Sequence, residues 1–264
     1  MKKVSKIWIV FSYTIATLSA FTSLLGIFTP TPYSQETANW ALQAVGQDVG
    51  NLIAVFVFLF STYFLSKKSI KSFFIWQGTL LYFIYAYLIY AFFIHFNYLF
   101  LVYVIVLGLS FYTVVGSLIE QDLISISKSF LSKHEKPASI LLIIIGSLFG
   151  FLWLSEIIPA LISASIPKSL INTGLWVNPI HVIDLAIVLP AMIITGIFLT
   201  KKKSLGRLFA APWLTFSTLM GSSIVANMII ELVNGNNNTI VPLIMIGIIT
   251  ISSAITLNLY FKKI

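Results

Sequence analysis

The sequence lacks cysteine altogether and has few charges, with only 9% of its 264 residues charged. Without cysteine the chain forms no disulfide, offers no thiolate nucleophile and ligates no iron–sulfur cluster. A typical soluble domain has about 25% charged residues, and a chain with so few cannot cover the surface of a water-soluble fold. These two shortages exclude an ordinary soluble protein and all thiol chemistry.

Familiar catalytic and nucleotide-binding motifs are missing as well. The sequence has no phosphate-binding glycine loop, no His-Glu-x-x-His zinc helix and no Gly-x-Ser-x-Gly nucleophile turn. We therefore predict no metal site and no cofactor, and the sequence leaves open whether the protein is an enzyme.

Apolar residues make up 58% of the chain, and they come in long runs such as residues 7–28, 73–94 and 98–119. Each run approaches the ~20 residues that cross a hydrocarbon core as a helix. A β-barrel would instead show ~10-residue stretches of alternating apolar and polar residues, and the sequence does not alternate over such lengths. The sequence predicts an all-α integral membrane protein with eight transmembrane helices, at residues 7–27, 48–65, 73–94, 98–119, 138–158, 180–199, 208–232 and 240–261.

Basic residues are confined to one side of this predicted topology. An even number of spans places both termini on the same side, together with all of the 16 lysines and arginines except Lys168. Short loops rich in these residues stay in the cytoplasm, so both termini are predicted to be cytoplasmic in a multi-pass protein of the cell membrane. The charge of +8 is then a topology signal with affinity for anionic membrane lipids, and no nucleic acid is predicted as a partner. The residues on the predicted cytoplasmic side are Lys2, Lys3, Lys6, Lys67, Lys68, Lys71, Lys128, Lys133, Lys136, Lys201, Lys202, Lys203, Arg207, Lys262 and Lys263.

The first apolar segment follows a Lys-Lys start, which is also typical of a cleaved signal peptide. Its run is longer than the ~7–15 residues of a signal h-region, so we expect a retained first span. Cleavage would leave the orientation of the other spans unchanged.

Several residues recur at an offset of about 135 along the chain, which predicts an internal duplication. Each half has four spans, so the halves have the same orientation and are related by an axis along the membrane normal. We predict a first four-helix repeat at 1–119, a cytoplasmic linker at 120–137 and a second repeat at 138–264. The recurring residues are Lys67-Lys68-Ser69-Ile70 with Lys202-Lys203-Ser204-Leu205, Pro32 with Pro167, Trp40 with Trp176, and Asp48 with Asp184.

Polar side chains within the spans are the first candidates for a site, because a charge in the membrane costs ~2.5–3.5 kcal/mol on insertion scales. Gln47 and Asn51 are four apart and share one helical face, and Asp48 and Asn51, three apart, share a neighbouring strip of it. The pairs in the sixth and seventh spans are likewise three and four apart. The alternative is that carboxylates near helix starts are stabilised by the helix dipole without any ligand. The candidates are Gln47, Asp48 and Asn51 of the second span, His181 and Asp184 of the sixth, and Asn227 and Glu231 of the seventh.

Tryptophans near the same side have a simpler interpretation. Trp40, Trp153 and Trp176 fall close to the predicted outer interface, where aromatic belts lie. They are interpreted as membrane anchors.

Three classes of function stay open at this point. The leading hypothesis is a small-solute permease, coupled to a cation or a proton, with one polar pocket that opens outward and is lined by the second, sixth and seventh spans. The first alternative is a membrane-embedded hydrolase or lipid-processing enzyme in which Asp48 and Asp184 share a proton. The second is a non-catalytic membrane subunit or assembly factor.

Overall fold

The computed structural model describes residues 2–65, 67–129 and 132–262. Eight helices in these ranges are long and apolar enough to cross a membrane, which confirms a polytopic helical membrane protein. Lys263 and residues 130–131 of the predicted linker lie outside the described residues. The eight helices are α1 (Lys6–Phe28), α2 (Ala38–Leu65), α3 (Ile70–Phe93), α4 (Phe100–Glu120), α5 (Glu135–Ile162), α6 (Pro179–Thr200), α7 (Ser204–Val233) and α8 (Ile240–Phe261).

Helix ends define two faces of the molecule, which we name by their lysine content. The lysine-rich face holds the start of α1, the α2–α3 and α6–α7 turns, the segment between α4 and α5, and the end of α8. The lysine-poor face holds the loops at 29–37, 94–99, 163–178 and 234–239. Three short helices, Thr31–Tyr33, Lys168–Thr173 and Asn237–Thr239, lie in the lysine-poor loops.

Helix α2 departs most from its predicted boundary, because it begins at Ala38 rather than at residue 48. Gln43 and Gln47 lower the hydropathy of its first turns. In the structure Gln47 donates to the Tyr82 hydroxyl at 2.8 Å, so its amide is satisfied inside the protein. A stretch that looks interfacial by hydropathy is therefore the start of a long spanning helix.

Each half of the chain packs its four helices in the same order. In the first half α1 contacts α2, α2 contacts α3, α3 contacts α4, and α4 returns to α1. In the second half the same cycle runs through α5, α6, α7 and α8. The halves meet at the centre, where Gly78 of α3 lets the backbone of Pro212 in α7 approach so closely that a Cβ would lie 2.5 Å from the Pro212 carbonyl oxygen.

The two halves pack tightly in one place and loosely in another, and the site lies where they pack loosely. Helices α2 and α7 pack tightly because Gly46 and Gly50, four residues apart, face Asn227 and Ser223. Small residues at this spacing let helices approach closely in a membrane. Helix α3, by contrast, meets α6 chiefly at the first turn of α6, Pro179–Ile183. A gap therefore lies between α3 and α6.

Helix α6 contains a wide turn beside this gap. Its backbone is π-helical over Asp184–Val188, and the Leu189 amide donates to the Asp184 carbonyl. Pro190 follows directly; it has no N–H group, and its ring collides with the carbonyl four residues earlier in a regular helix. The wide turn accommodates the proline, and such turns are frequent at functional sites.

Candidate functional site

A cavity of about 550 Å³ fills the gap between α3 and α6. This volume is within the range of ~300–1,000 Å³ that is usual for small-molecule sites. Its walls come from α2, α3, α5, α6, α7 and α8, and they reach from Trp40 near the lysine-poor face to Met192 in the middle of α6. Most lining side chains are apolar; those with polar groups are Trp40, Gln43, Gln47, Tyr85, Tyr90, Trp153, Asp184, Ser217, Ser223 and Asn227.

Asp184 is the carboxylate on this wall. It is the first residue of the π-helical turn, and the residue is buried, with 8% of its surface exposed. The Trp153 indole donates to Asp184 Oδ2 at 2.9 Å, and the Tyr85 hydroxyl lies beside the same carboxyl. Two aromatic side chains from α5 and α3 therefore hold the carboxylate at the edge of the cavity.

His181 lies one turn before Asp184, and Trp153 contacts both side chains. Its ring packs against Trp153 with centroids 4.6 Å apart, and its Nε2 lies 3.7 Å from Glu156 Oε2. Glu156 also accepts the Ser169 amide at 2.9 Å. His181 thus joins α6 to the lysine-poor loop, and Trp153 is the group between it and Asp184.

Asp48 lies in a separate pocket of tyrosines, 1% exposed. Tyr33 donates to Oδ2 at 2.6 Å and Tyr90 donates to Oδ1 at 2.9 Å. Tyr33 belongs to the lysine-poor loop, and burial, with a contribution from the Asp48 charge, raises its pKa well above 10. The Tyr33 hydroxyl consequently keeps its proton and remains a donor to Asp48. Gly26 of α1 makes room for this pair, because a Cβ there would overlap Asp48 Oδ2.

Hydrogen bonds connect the cavity wall to the Asp48 pocket. Ser223 donates to Gln47 Oε1 at 3.0 Å, and the Gln47 amide donates to Asn51 Oδ1 at 3.2 Å. Asn51 in turn donates to the Tyr90 hydroxyl at 3.4 Å, and Tyr90 donates to Asp48. Gln47 and Tyr90 line the cavity whereas Asn51 is fully buried. We call the chain Ser223–Gln47–Asn51–Tyr90–Asp48 the polar chain.

The structure thus brings some of the predicted site residues together and separates others. Gln47, Asp184 and Asn227 line one cavity. Asn51 and Asp48 lie behind its wall, and His181 is linked to it by Trp153.

Glu231 is at the end of α7 and away from the described cavity wall. Its Oε2 accepts the Asn236 side-chain amide at 3.1 Å. This bond ties the α7–α8 loop to the helix end.

The two aspartates that the enzyme hypothesis pairs have different partners. Tyr33 and Tyr90 donate to Asp48, and Trp153 donates to Asp184. Among the described hydrogen bonds none joins one carboxyl to the other, and sharing a proton requires near contact. In the described part of the chain no group of three histidine, aspartate or glutamate side chains is placed to hold a metal ion.

Several wall residues have no signal in the sequence that separates them from ordinary core or interface residues. Trp153, interpreted as a membrane anchor, is the donor to Asp184. Trp40 donates to the Phe93 carbonyl at 2.9 Å and lines the cavity. Trp176 is 98% exposed, as an anchor requires. Pro190 was the available signal for the wide turn that carries Asp184.

Comparison with known proteins found no matching family model, no matching curated protein and no matching solved structure. Function is therefore argued from the cavity and its walls.

Proposed function

We propose that this polytopic membrane protein is a permease for a small solute, coupled to a cation or proton, and that the cavity between its halves is the solute site. The observation that carries the proposal is a cavity of about 550 Å³ with a single carboxylate, Asp184, among the described residues of its wall. Membrane transporters place their sites near the midplane between repeated halves. The cavity lies between the halves and extends to the middle of α6.

Lysine distribution supports an outward orientation for the cavity. Lysine-rich loops stay in the cytoplasm, so the lysine-rich face and both termini are assigned to the cytoplasmic side. Most of the described wall residues lie in the half of their helices nearer the lysine-poor face, and the wall extends just past the midpoint of α6 at Met192. The solute would enter from outside.

Two features support the duplication that this mechanism uses. The four helices of each half pack in the same order. The basic turns also match: Lys68 and Lys202 both adopt left-handed φ, of 60° and 54°. The backbone amide of each lysine donates to the carbonyl three residues earlier, that of Leu65 or Leu199, at 2.9 Å. Their offset is 134, because the second turn has one more lysine than the first.

The lysine-rich face is closed on the side of the second half by an ion pair. Arg207 Nε of α7 lies 2.8 Å from Glu135 Oε1 of α5, and both side chains are largely buried. Tyr260 of α8 donates to the Arg207 carbonyl at 3.4 Å. These contacts join α5, α7 and α8, so release toward the cytoplasm requires that they separate.

The polar chain supports proton coupling. Its hydrogen-bonded groups run from the cavity wall to Asp48, a carboxyl with no cationic partner among the described residues. Ionisable side chains inside membrane spans mark proton relays in pumps and transporters, and Asp48 is such a group.

Proteoliposomes that contain a pH-sensitive dye test the proposal. A panel of quaternary ammonium ions and amino acids is added outside under an imposed pH gradient, and solute-dependent proton movement is recorded. We expect at least one solute to move protons through the protein, and Asp184→Asn to abolish this movement. Asp122→Asn is the matched control, because Asp122 is an exposed carboxylate at the lysine-rich face that accepts the Ser125 amide at 3.1 Å. If no solute moves protons, proton coupling is wrong. If Asp184→Asn equals the unaltered protein, the cavity is not the solute site.

A further inference from the structure

The cavity combines one carboxylate with many aromatic and methionine side chains in its walls. Tyr85, Phe149 and Trp153 lie on the wall with Asp184, and methionines such as Met192 and Met220 line it together with aliphatic side chains. No lysine, arginine or histidine is among the described lining residues. A bound anion would therefore meet Asp184 without a compensating positive group.

Charge and surface together restrict the ligand. A strongly hydrated ion such as Na⁺ prefers several oxygen ligands around it. The side chains that contact Asp184 are the aromatic groups Trp153 and Tyr85, whereas the amide and serine groups of the wall belong to α2 and α7. An organic cation with a delocalised or shielded charge loses less hydration, and aromatic faces attract it. The methionine side chains adapt to irregular apolar shapes.

The carboxylate also has capacity for a further partner. An ionised carboxylate accepts about four hydrogen bonds or charge contacts, and Trp153 provides one of them to Asp184 Oδ2. Trp153 and Tyr85 fix the carboxylate at the wall while their rings line the same cavity. One cluster thus supplies both the negative charge and the aromatic faces.

We propose that this cavity binds an apolar organic monocation, with Asp184 as its counter-ion and with Trp153 and Tyr85 as aromatic contacts. The proposal deepens the proposed function by naming the substrate class and rests on that function for its role in transport. Binding itself can be measured without transport.

The experiment measures binding to the full chain in lipid nanodiscs. The probe is 1-methyl-4-phenylpyridinium, and the matched uncharged compound is 4-phenylpyridine at pH 8. We expect the cation to bind at least tenfold more tightly than the uncharged compound and to quench tryptophan fluorescence. Asp184→Asn should weaken cation binding about ten- to hundredfold and leave the uncharged compound unchanged, since a desolvated charge contact is lost.

Two further variants separate loss of charge from loss of folding. Asp184→Glu keeps the charge and should retain most of the cation affinity, whereas Asp122→Asn should bind as the unaltered protein does. Equal affinity for the two compounds would indicate an apolar cavity for lipid tails and would overturn the proposal, as would unchanged binding in Asp184→Asn or no binding at millimolar cation. Tight binding without transport would leave this inference standing and refute the permease. Transport of other solutes by a protein that does not bind the cation would overturn this inference and leave the permease standing.

Discussion

Individual side chains around Asp48 show how a carboxyl is accommodated in this protein without a cationic partner among the described residues. Tyr33 and Tyr90 each donate one hydrogen bond to it. A hydrogen bond to a charged group contributes roughly 1.5–3 kcal/mol. The pocket works only because α1 comes close enough for the loop tyrosine to reach α2, and Gly26 is the residue at that approach.

Gly26→Ala should lower stability. The new Cβ would overlap Asp48 Oδ2 and lie 2.7 Å from the Tyr33 hydroxyl, and overpacking of this kind costs about 1–3 kcal/mol. The control is Gly108→Ala in α4, where nothing lies within 4 Å of the added Cβ. Thermal unfolding in detergent measures both variants. Equal unfolding temperatures would show that the pocket tolerates the methyl group.

The spanning helices could be predicted from the sequence because each contains a long run of apolar residues. All eight spanning helices follow from runs that water cannot accommodate. The start of α2 was placed too late because Gln43 and Gln47 look solvated in sequence, although in three dimensions they line the cavity. Polarity along one helix does not reveal whether the polar face meets water or another helix.

Much of the cavity wall could not be predicted for the same reason. Helices α3, α5 and α8 contribute mostly apolar side chains, and such residues read as core or lipid-facing surface. Asp184 and Asn227 were identifiable because polar groups in a span are costly. That both residues line one cavity depends on how α6 packs against α3 and α7, which periodicity does not encode.

The wide turn of α6 gives an element-scale prediction. Pro190→Ala restores an N–H group, so the wide π-helical turn can become a regular α-helical turn. The residues before the turn then shift by one position in the helical register. This change rotates Asp184 by about 100° relative to the rest of α6, away from the cavity. We expect 1-methyl-4-phenylpyridinium affinity to fall at least tenfold while the unfolding temperature stays constant or rises, since proline no longer interrupts the helix.

Pro159→Ala is the matched control for this variant. Pro159 is also inside a helix, near the end of α5, and is not among the cavity residues. It should leave affinity unchanged. Unchanged affinity in Pro190→Ala as well would separate the wide turn from ligand binding.

The whole molecule has an orientation that its lack of cysteine makes simple to test. Lys168→Cys places a thiol in a lysine-poor loop, and Lys202→Cys places one in a lysine-rich turn. A membrane-impermeant maleimide on intact cells should label the first variant, and label the second only after permeabilisation. The positive-inside distribution is the physical reason. The opposite pattern would reverse the assigned orientation, and labelling of both in intact cells would refute the membrane crossing of α6, the spanning helix that separates the two positions.

Helix α8, the least buried of the spans, forms one wall of the cavity. Met245 lines the cavity, and Ile244 and Ile248 of the same helix are exposed and are not among the lining residues. An apolar cation dissolved in the surrounding lipid is therefore one helix away from the site. For ligands that take this route, the relevant concentration is the one in the bilayer, and the aqueous dissociation constant falls in proportion to the lipid–water partition coefficient. In a homologous series of N-alkyl pyridinium ions, aqueous affinity should rise with each added methylene, whereas affinity calculated from membrane concentration should stay nearly constant.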